Sequence, residues 1–388
     1  MSHFLEEYAK NLGVKASKPV VQDHFFPLTT TKYITISNDE ATPSKRYSHY
    51  NLVLELVRPV LKQRGIKVVQ IAGRNPIEGV DQLLNLSFRQ QSFILNESLL
   101  HLGSDGVLSH VASSKNTPTI NLFGNSFPNN NRPLFSASAL NINLSPKWDS
   151  KPCFSPEDPK KQINNIKPEV VAQSILKLLK INDQDINFST LHIGAGFEQK
   201  IVEVVPTSFL PLDTRDKFDI FLRLDYGYDQ DSVIRYCQSY KLGIITDKVI
   251  QPHGLAPVSK NINRLCIFID KEWEGDGDPS ARIPNEYFKF LKNQGIECVL
   301  LLKNSEFLGR AQNVYFDQVV KPYNQNKNKK LENVTKNSKF FSGKYLVEGG
   351  KEYLSYAHWK KNLDNSNIVI DTPEYWEELD HFYIYEQN

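Results

Sequence analysis

The chain has 388 residues, 40% of them hydrophobic and 23% charged, which is the composition of a globular protein and excludes collagen, a coiled coil and a disordered chain. This length predicts two domains. Lysine and arginine number 46 against 44 acidic residues, and a net charge of +2 creates no overall field that would recruit nucleic acid or anionic lipid.

The cysteines and the start of the chain predict its compartment. None of the four cysteines has the Cys-x-x-Cys spacing of a zinc or redox site, and two lie in apolar runs, so we expect buried free thiols in a reducing environment. The first residues lack the apolar core of a secretory signal, and no run reaches the ~18 apolar residues of a membrane span. We therefore expect a soluble cytoplasmic protein, and nothing in the sequence indicates its oligomeric state.

Short β-branched runs alternate with amphipathic stretches in the first half of the chain. In chain order the pattern predicts strands and helices at Tyr33–Ser37, His49–Gln63, Lys67–Ala72, Ser87–Leu95, Leu99–Leu102, Val107–Lys115, Thr119–Phe123 and Lys167–Lys180, of which the second, fourth, sixth and eighth are helices. Alternation of this kind is typical of a parallel, doubly wound sheet.

The second half repeats the alternation. Its predicted elements are a helix at Pro284–Asn293 and strands at Ile201–Val205, Phe218–Leu224, Leu242–Thr246, Leu265–Asp270, Glu297–Leu302 and Asn367–Asp371. An Asn- and Lys-rich stretch at 321–344 predicts a mobile loop. We therefore predict an α/β protein with two Rossmann-like, doubly wound domains facing a cleft, namely an N-terminal extension at 1–31, a first domain at 32–185 and a second at 186–388.

One segment, LHLGSDGVLSHVASSKNTPTINLFG at 100–124, predicts a strand, a glycine-containing turn, a helix and a second strand. A turn of this kind presents backbone N–H groups at a helix N-terminus, where the helix dipole favours an anion such as a diphosphate. Asp105 would then bond sugar hydroxyls, and His110, about one turn further on, would reach the same ligand. The structural alternative is that Asp105 caps the helix and His110 is a core histidine.

The order of these residues resembles the nucleotide-sugar-binding half of the heptosyltransferases, glycosyltransferase family nine. The matching residues are Asp105, Gly106, His110, Asn116-Thr117-Pro118 and Phe123-Gly124. Upstream, Lys45, Arg46 and Tyr47 follow the first strand and Gly73 ends the next one, as in the family. The resemblance covers residues 32–180, less than half of the chain.

The resemblance implies a GT-B architecture and the transfer of a sugar from a nucleotide-diphosphate donor, ADP-heptose-like or UDP-hexose, without a metal or another cofactor. It implies donor-binding roles for Lys45, Arg46, Gly73, Asp105, Gly106, His110 and Gly124. Lys45 beside the diphosphate would neutralise the charge that grows on the leaving group. The structural alternative is that Lys45 and Arg46 are solvated loop charges.

Two features depart from the family. Val107 stands two residues after Asp105, where the family has glycine, which puts the approach of the backbone to phosphate in doubt. The family's acceptor domain, with its catalytic aspartate, precedes the donor domain, whereas here the other α/β domain follows, so the domain order is inverted. The candidate bases are therefore Asp225 and Asp270, with Glu272, at the ends of second-domain strands, and each is also explained as a capping or solvated acid.

Other short motifs suggest binding sites, but turns, loops and packing explain most of them better. Asp276 and Asp278 form an Asp-x-Asp pair of the kind that holds a divalent ion in GT-A transferases, but EGDGD is typical of a turn, so we predict no metal site. Gly194 and Gly196 lack the third glycine of a dinucleotide-binding signature. His253 and the segment SYAHWKKN at 355–362 are explained by loop structure and packing.

The leading hypothesis is a GT-B glycosyltransferase whose partners are a nucleotide-diphosphate sugar and an acceptor, either a glycan, a lipid-linked sugar or a modified DNA base. One alternative is a viral-type DNA glycosyltransferase acting on hydroxymethylated pyrimidines, with the basic stretch 327–344 binding phosphate. Another is a non-catalytic sugar-nucleotide or glycan-binding protein. A third is a sugar-nucleotide epimerase, which changes the donor sugar with no acceptor present.

Overall fold

A computed structural model describes residues 3–38, 42–73, 76–83, 85–148, 151–210, 218–273, 282–323, 330–363 and 372–387. The chain divides into two compact units, Met1–Phe188 and Ser189–Asn388. Within the described ranges, no helix combines the length and the apolar character needed to cross a membrane.

Unit 1 alternates strands and helices along most of its length. Its strands are β1 (Tyr33–Ser37), β2 (Lys67–Ala72), β3 (Asp81–Gln82), β4 (His101–Ser104), β5 (Thr119–Leu122) and β6 (Asn141–Leu144). Its helices are α1 (Phe4–Asn11), α2 (Tyr50–Gln63), α3 (Phe88–Glu97), α4 (Val107–Ser114), α5 (Pro128–Asn131) and α6 (Pro168–Leu178).

The strands of unit 1 form a parallel sheet in the order β3-β2-β1-β4-β5-β6. The chain moves outward from β1 to β3, returns to β4 beside β1, and then moves outward in the other direction. In such a sheet, ligands bind outside the carboxyl ends of the strands where the order reverses. The loops that follow β1 and β4 are therefore the expected place for a site.

Apolar side chains cover both faces of this sheet, as a parallel sheet requires. Ile34 and Ile36 of β1 lie in the cluster that contains the buried faces of α2 and α6. Tyr33 and Val69 lie in the opposite cluster, with buried residues of α3 and α4. The sheet is thus held from both sides, and the loops at its carboxyl edge project from a rigid base.

Unit 2 contains a larger sheet and a small one. Its strands are β7 (Phe188–Ile193), β8 (Ile201–Val204), β9 (Asp219–Arg223), β10 (Leu242–Thr246), β11 (Ile262–Phe268), β12 (Glu297–Leu302), β13 (Val319–Pro322), β14 (Lys339–Ser342), β15 (Lys344–Glu348), β16 (Lys351–Tyr353) and β17 (Phe382–Gln387). Its helices are α7 (Gln230–Cys237), α8 (Pro252–Leu255), α9 (Asn285–Asn293), α10 (Leu308–Val314), α11 (Tyr356–Lys360) and α12 (Pro373–Trp376).

The large sheet of unit 2 has the order β13-β12-β11-β10-β9-β8-β15-β16, and all its pairings are parallel except that of β15 with β16. One face packs against α7, α9 and α10 in the largest apolar cluster of the unit. The side chains of Glu203 and Arg223 alternate with that buried face and so lie on the opposite one. Strands β14, β17 and β7 form the small sheet.

The predicted α/β class with Rossmann-like parallel sheets is confirmed. The predicted loop at 321–344 is corrected at both ends. At its start, β13 extends to Pro322. At its end, β14 occupies 339–342, and β15 begins at Lys344. The Lys-rich composition concealed the pairing of β14, whose KFFS sequence joins β17 in an antiparallel ladder. The predicted strand Asn367–Asp371 lies outside the described residues.

Candidate functional site

A cavity of about 500 Å³ in unit 1 brings together several of the residues singled out from the sequence. Lys45 comes from the loop after β1, Asp105 and Gly106 come from the turn after β4, and His110 comes from α4. These are the two loops at the point where the strand order reverses. The cavity is within the range of ~300–1,000 Å³ that small-molecule sites occupy.

An ion pair joins the two loops. The Lys45 ammonium donates to Asp105 Oδ2 at 2.9 Å and to the Asp105 carbonyl oxygen at 2.9 Å. Ser126 Oγ and Asn131 Nδ2 also donate to Oδ2, each at 3.3 Å. The other carboxylate oxygen, Oδ1, receives no hydrogen bond from a described residue. Asp105 thus fixes the position of Lys45 and keeps one oxygen for a ligand.

The short turn Pro43–Lys45 that presents the lysine is held by its own backbone contacts. Ser44 donates from its backbone N–H to the carbonyl of Pro156 at 2.9 Å and from Oγ to the carbonyl of Ser155 at 2.6 Å. Gly124, at the end of β5, passes so close that a Cβ there would lie 2.2 Å from the Ser44 carbonyl oxygen. A side chain at 124 would push this turn away from the sheet.

The N-terminus of α4 has no side-chain cap. Gly106 is the N-cap residue, with φ −155° and ψ 174°, and no side chain bonds the N–H groups of the first turn. Asp105, expected to cap the helix in the structural alternative, instead binds Lys45. Uncapped N–H groups and the positive end of the helix dipole favour an anion here. Since any residue can adopt the Gly106 backbone angles, glycine is not required there by conformation.

His110 lines the cavity one turn into α4. Burial lowers the pKa of its imidazole, and the nearby positive charge of Lys45 contributes in the same direction while Asp105 opposes it. The ring makes no hydrogen bond to another residue in the part of the chain that the structure describes. A neutral imidazole offers one donor and one acceptor, which suits the hydroxyl of a ligand.

The N-terminal segment forms one wall of the cavity. His3, Phe4, Leu5 and Pro19 line it, and His3 Nε2 lies 2.7 Å from the carbonyl oxygen of Arg132. The sequence predicts an N-terminal extension at 1–31 and singles out no residue of it for the site. The amphipathic sequence of α1 indicates that one face of this helix packs against the protein, but it does not reveal which surface that face contacts.

Three predicted donor-binding residues do not line the cavity. Arg46 is exposed beside it. Gly73 ends β2 with φ +137°, an angle that favours glycine, and a Cβ there would collide with the side chain of Asn38. Gly124 lies against the turn Pro43–Lys45, with room for no side chain at that position. The two glycines therefore shape the backbone around the site, and contact with a ligand at these positions stays a prediction.

The predicted bases are held in structural contacts. Both carboxylate oxygens of Asp225 accept from Arg223, at 2.8 and 2.7 Å, and both side chains are almost completely buried. Asp270 accepts from the backbone N–H groups of Lys303 and Asn304 at 2.9 to 3.1 Å and so joins the ends of β11 and β12. Glu272 accepts from Tyr315 Oη at 2.5 Å, and burial raises the pKa of its carboxyl. These contacts give Asp225 and Asp270 structural roles, and their roles as bases stay predictions.

Metal ligands and reactive thiols are further candidates for site chemistry among the described residues. No group of histidine, cysteine and acidic side chains there is arranged to hold a metal ion. The pair Asp276 and Asp278 lies outside the described residues. The cysteines are free, and burial raises the pKa of the Cys237 and Cys266 thiols, to about 12 and about 11.

No protein-family model matches the chain, and no curated protein does. Solved structures do match, over less than half of the chain. A family 9 glycosyltransferase from Veillonella parvula is 18% identical over 45% of this chain and 50% of its own, with a TM-score of 0.32. The E. coli heptosyltransferase WaaC with ADP is 18% identical over 45% and 54%, with a TM-score of 0.31.

The iron-containing dodecameric glycosyltransferase TibC from enterotoxigenic E. coli is 19% identical over 44% of this chain and 51% of its own, with a TM-score of 0.36. The chain thus spans about half the length of the solved structures it matches. Over a little under half of its length, the chain is similar to glycosyltransferases of family nine.

Proposed function

We propose that the protein is a GT-B glycosyltransferase that moves a sugar from a nucleotide-diphosphate sugar, of the ADP-heptose or UDP-hexose type, to a hydroxyl acceptor. One observation carries this proposal: the Lys45 ammonium is anchored on Asp105 beside the uncapped N-terminus of α4, in a cavity that His110 also lines. A cation and a helix N-terminus together suit a diphosphate.

Each part of the site has a physical role in this reaction. The first-turn N–H groups of α4 bind the diphosphate, and Lys45 offsets the charge that develops on it as the glycosidic bond breaks. Asp105 Oδ1 and the neutral imidazole of His110 bond hydroxyls of the sugar. Apolar side chains, among them Leu134 and Phe135, pack against the base. No metal or other cofactor is assigned a role.

A second candidate is a non-catalytic sugar-nucleotide or glycan-binding protein. It is favoured by the engagement of Asp225 with Arg223 and of Asp270 with backbone N–H groups, because each carboxylate then has a structural role that explains its presence without catalysis.

The DNA-glycosyltransferase alternative has less support, because Lys344, at the end of the basic stretch, is buried and paired with Glu378 at 2.7 Å rather than presented to phosphate. Residues 327–329 of this stretch lie outside the described residues.

Release of nucleoside diphosphate from a panel of nucleotide sugars, with and without glycan acceptors, tests the proposal. We expect repeated turnover by the wild type and a rate at least about tenfold lower for Lys45→Ala, a loss of about 1.4 kcal/mol in transition-state stabilisation. Lys177→Ala, on the exposed side of α6, is the matched control and should turn over normally.

Two other outcomes contradict the proposal and identify its replacement. Donor binding without transfer or hydrolysis indicates a binding protein. A changed donor sugar with no acceptor present indicates an epimerase. When hydroxymethylated DNA is added as a further acceptor, transfer to it alone, with retention that weakens steeply with salt, keeps the transfer reaction and identifies DNA as the acceptor.

A further inference from the structure

A second cavity, of about 700 Å³, lies in unit 2 on the face of the large sheet opposite α7, α9 and α10. Phe221 and Arg223 of β9, Ile245 of β10 and Leu301 of β12 line it from the sheet. The part of this face that lines the cavity combines apolar and polar side chains. Its size suits a small molecule.

The charges at the base of this cavity are already paired. Arg223 donates to Glu203 at 2.6 Å as well as to both oxygens of Asp225. Lys344 lies 2.7 Å from a carboxylate oxygen of Glu378 and 3.5 Å from one of Glu203. Arg223 and Lys344 each face two carboxylates, whereas Lys45 of unit 1 pairs with one, so neither of these two cations is left with charge to attract a phosphate or carboxylate ligand.

Two further cations that line the cavity, Arg264 and Lys360, are also paired with carboxylates. Arg264 is paired with Glu297 at 2.8 Å, and Lys360 with Glu374 at 2.9 Å. Lys303 lies over the ring of Phe268, with its ammonium 4.4 Å from the ring centre. The cavity therefore carries polar groups of both signs with little net charge, which favours a neutral ligand over an ion.

Three tyrosines add polar groups to the residues that line the cavity. Tyr226, Tyr323 and Tyr356 line the cavity, and none of their hydroxyls bonds another residue in the described ranges. The guanidinium of Arg223 lies 3.7 Å from the ring centre of Tyr226 and 5.6 Å from that of Tyr323, so these two rings border the ion pairs. Each hydroxyl can donate one hydrogen bond and accept others.

We propose that this cavity binds a neutral carbohydrate of one or two sugar units. Hydroxyl groups of the sugar would bond the tyrosine hydroxyls and the remaining lone pairs of Glu203 and Glu378, and its C–H surfaces would pack on Phe221, Ile245 and Leu301. This site does not depend on the proposed transfer reaction, because it would hold the sugar with no nucleotide present.

The test is direct binding of glucose, galactose, N-acetylglucosamine, maltose and lactose to the full chain, by saturation-transfer difference NMR and titration calorimetry. We expect at least one sugar to bind saturably. The double variant Tyr226→Phe, Tyr323→Phe should weaken that binding about tenfold, because it removes two hydroxyls that the sugar would bond. Its melting temperature should be unchanged, since neither hydroxyl bonds a described residue.

Tyr228→Phe removes a hydroxyl outside the cavity and should bind the sugar as the wild type does. If the double variant does not fold, the two single variants replace it. The proposal is overturned if no sugar of the panel saturates, if the double variant binds as tightly as the wild type, or if inorganic phosphate alone binds and the sugars do not. None of these outcomes depends on the nucleotide site of unit 1.

Discussion

Asp105 determines the electrostatics of the unit 1 cavity, because it holds the lysine that would meet a diphosphate. The carboxylate is 6% exposed, so its ion pair with Lys45 is shielded from solvent on one side. Asp105→Asn keeps the shape of the side chain and removes the charge. We expect the affinity for nucleoside diphosphates to fall about tenfold as Lys45 loses its fixed position.

Titration calorimetry measures this change. Asp183→Asn is the matched control, because Asp183 forms an exposed ion pair with Arg64 far along the chain from the site, and such pairs contribute little. Unchanged affinity in Asp105→Asn would show that the Lys45–Asp105 pair does not organise the site.

Burial of His101 makes the stability of unit 1 depend on pH. It is completely buried in β4, where Thr35 Oγ1 lies 3.1 Å from one ring nitrogen and Ser37 Oγ lies 3.3 Å from the other. Burial lowers its pKa to about 3. Below pH 6.5 the unfolded chain therefore binds a proton that the folded chain excludes, and the free energy of unfolding falls as the pH falls.

Between pH 7 and pH 5 this residue alone should reduce the free energy of unfolding by about 2 kcal/mol. His101→Gln removes the titrating group, so its loss of stability over the same range should be smaller by that amount. Urea unfolding at the two pH values measures the difference. Equal losses in the wild type and the variant would mean that His101 is protonated in the folded state.

At the scale of elements, the N-terminus of α4 lacks the side-chain cap that would stabilise the helix, and its N–H groups are therefore available to an anion. A serine at 106 would cap the first turn, since its hydroxyl can accept from the backbone N–H of Leu108 or Ser109. We expect Gly106→Ser to raise the free energy of unfolding by a few tenths of a kcal/mol, roughly 0.3. It should also weaken nucleoside diphosphate binding, because the hydroxyl occupies the donors that the phosphate would use.

Thermal unfolding and calorimetry of the same variant measure both effects. Gly309→Ser, at the start of α10 in unit 2, is a control for a glycine-to-serine change away from the site, and a Cβ there meets open space. Tighter nucleotide binding by Gly106→Ser would show that the anion does not bind at the α4 N-terminus.

Helix α2 runs unbroken from Tyr50 to Gln63 although Pro59 lies inside it and faces solvent. The proline ring removes one backbone hydrogen bond from the helix, and the packing of Val57, Val60 and Leu61 compensates. Pro59→Ala restores the donor, and we expect it to raise the free energy of unfolding by about 2 kcal/mol. A fall in melting temperature would contradict this account of the helix.

The sequence predicts the elements best where a short apolar run is buried on both sides. The predicted bounds of β1, β2, β10 and β12 agree with the structure because each is rich in β-branched or aliphatic residues. Strand β6 was missed, since its NINL sequence is polar at alternate positions. Asn121 Nδ2 donates to Asn143 Oδ1 at 2.9 Å, so the pairing of β5 with β6 satisfies amides that an isolated sequence window cannot pair.

At the scale of the whole molecule, local motifs single out Lys45 and Asp105 but not the residues around them. The family resemblance points to Lys45 and the glycine-containing turn to Asp105, and the parallel topology then places the two loops side by side, where the side chains form an ion pair. His3 was missed because its partner Arg132 lies 129 residues further along the chain, and no local pattern reports such a contact. The pairing of Asp225 had a local signal, since Arg223 lies two residues earlier and so on the same face of the strand.

The most direct test of the central claim is the thermal stability of the full chain with ADP, UDP, GDP and their sugar conjugates. A ligand at a hundred times its dissociation constant adds about 2.7 kcal/mol to the free energy of unfolding. The account predicts such a shift with at least one nucleoside diphosphate, its loss in Lys45→Ala and its retention in Lys177→Ala. If no nucleotide stabilises the protein, or if Lys45→Ala responds as the wild type does, the cavity of unit 1 is not a diphosphate site.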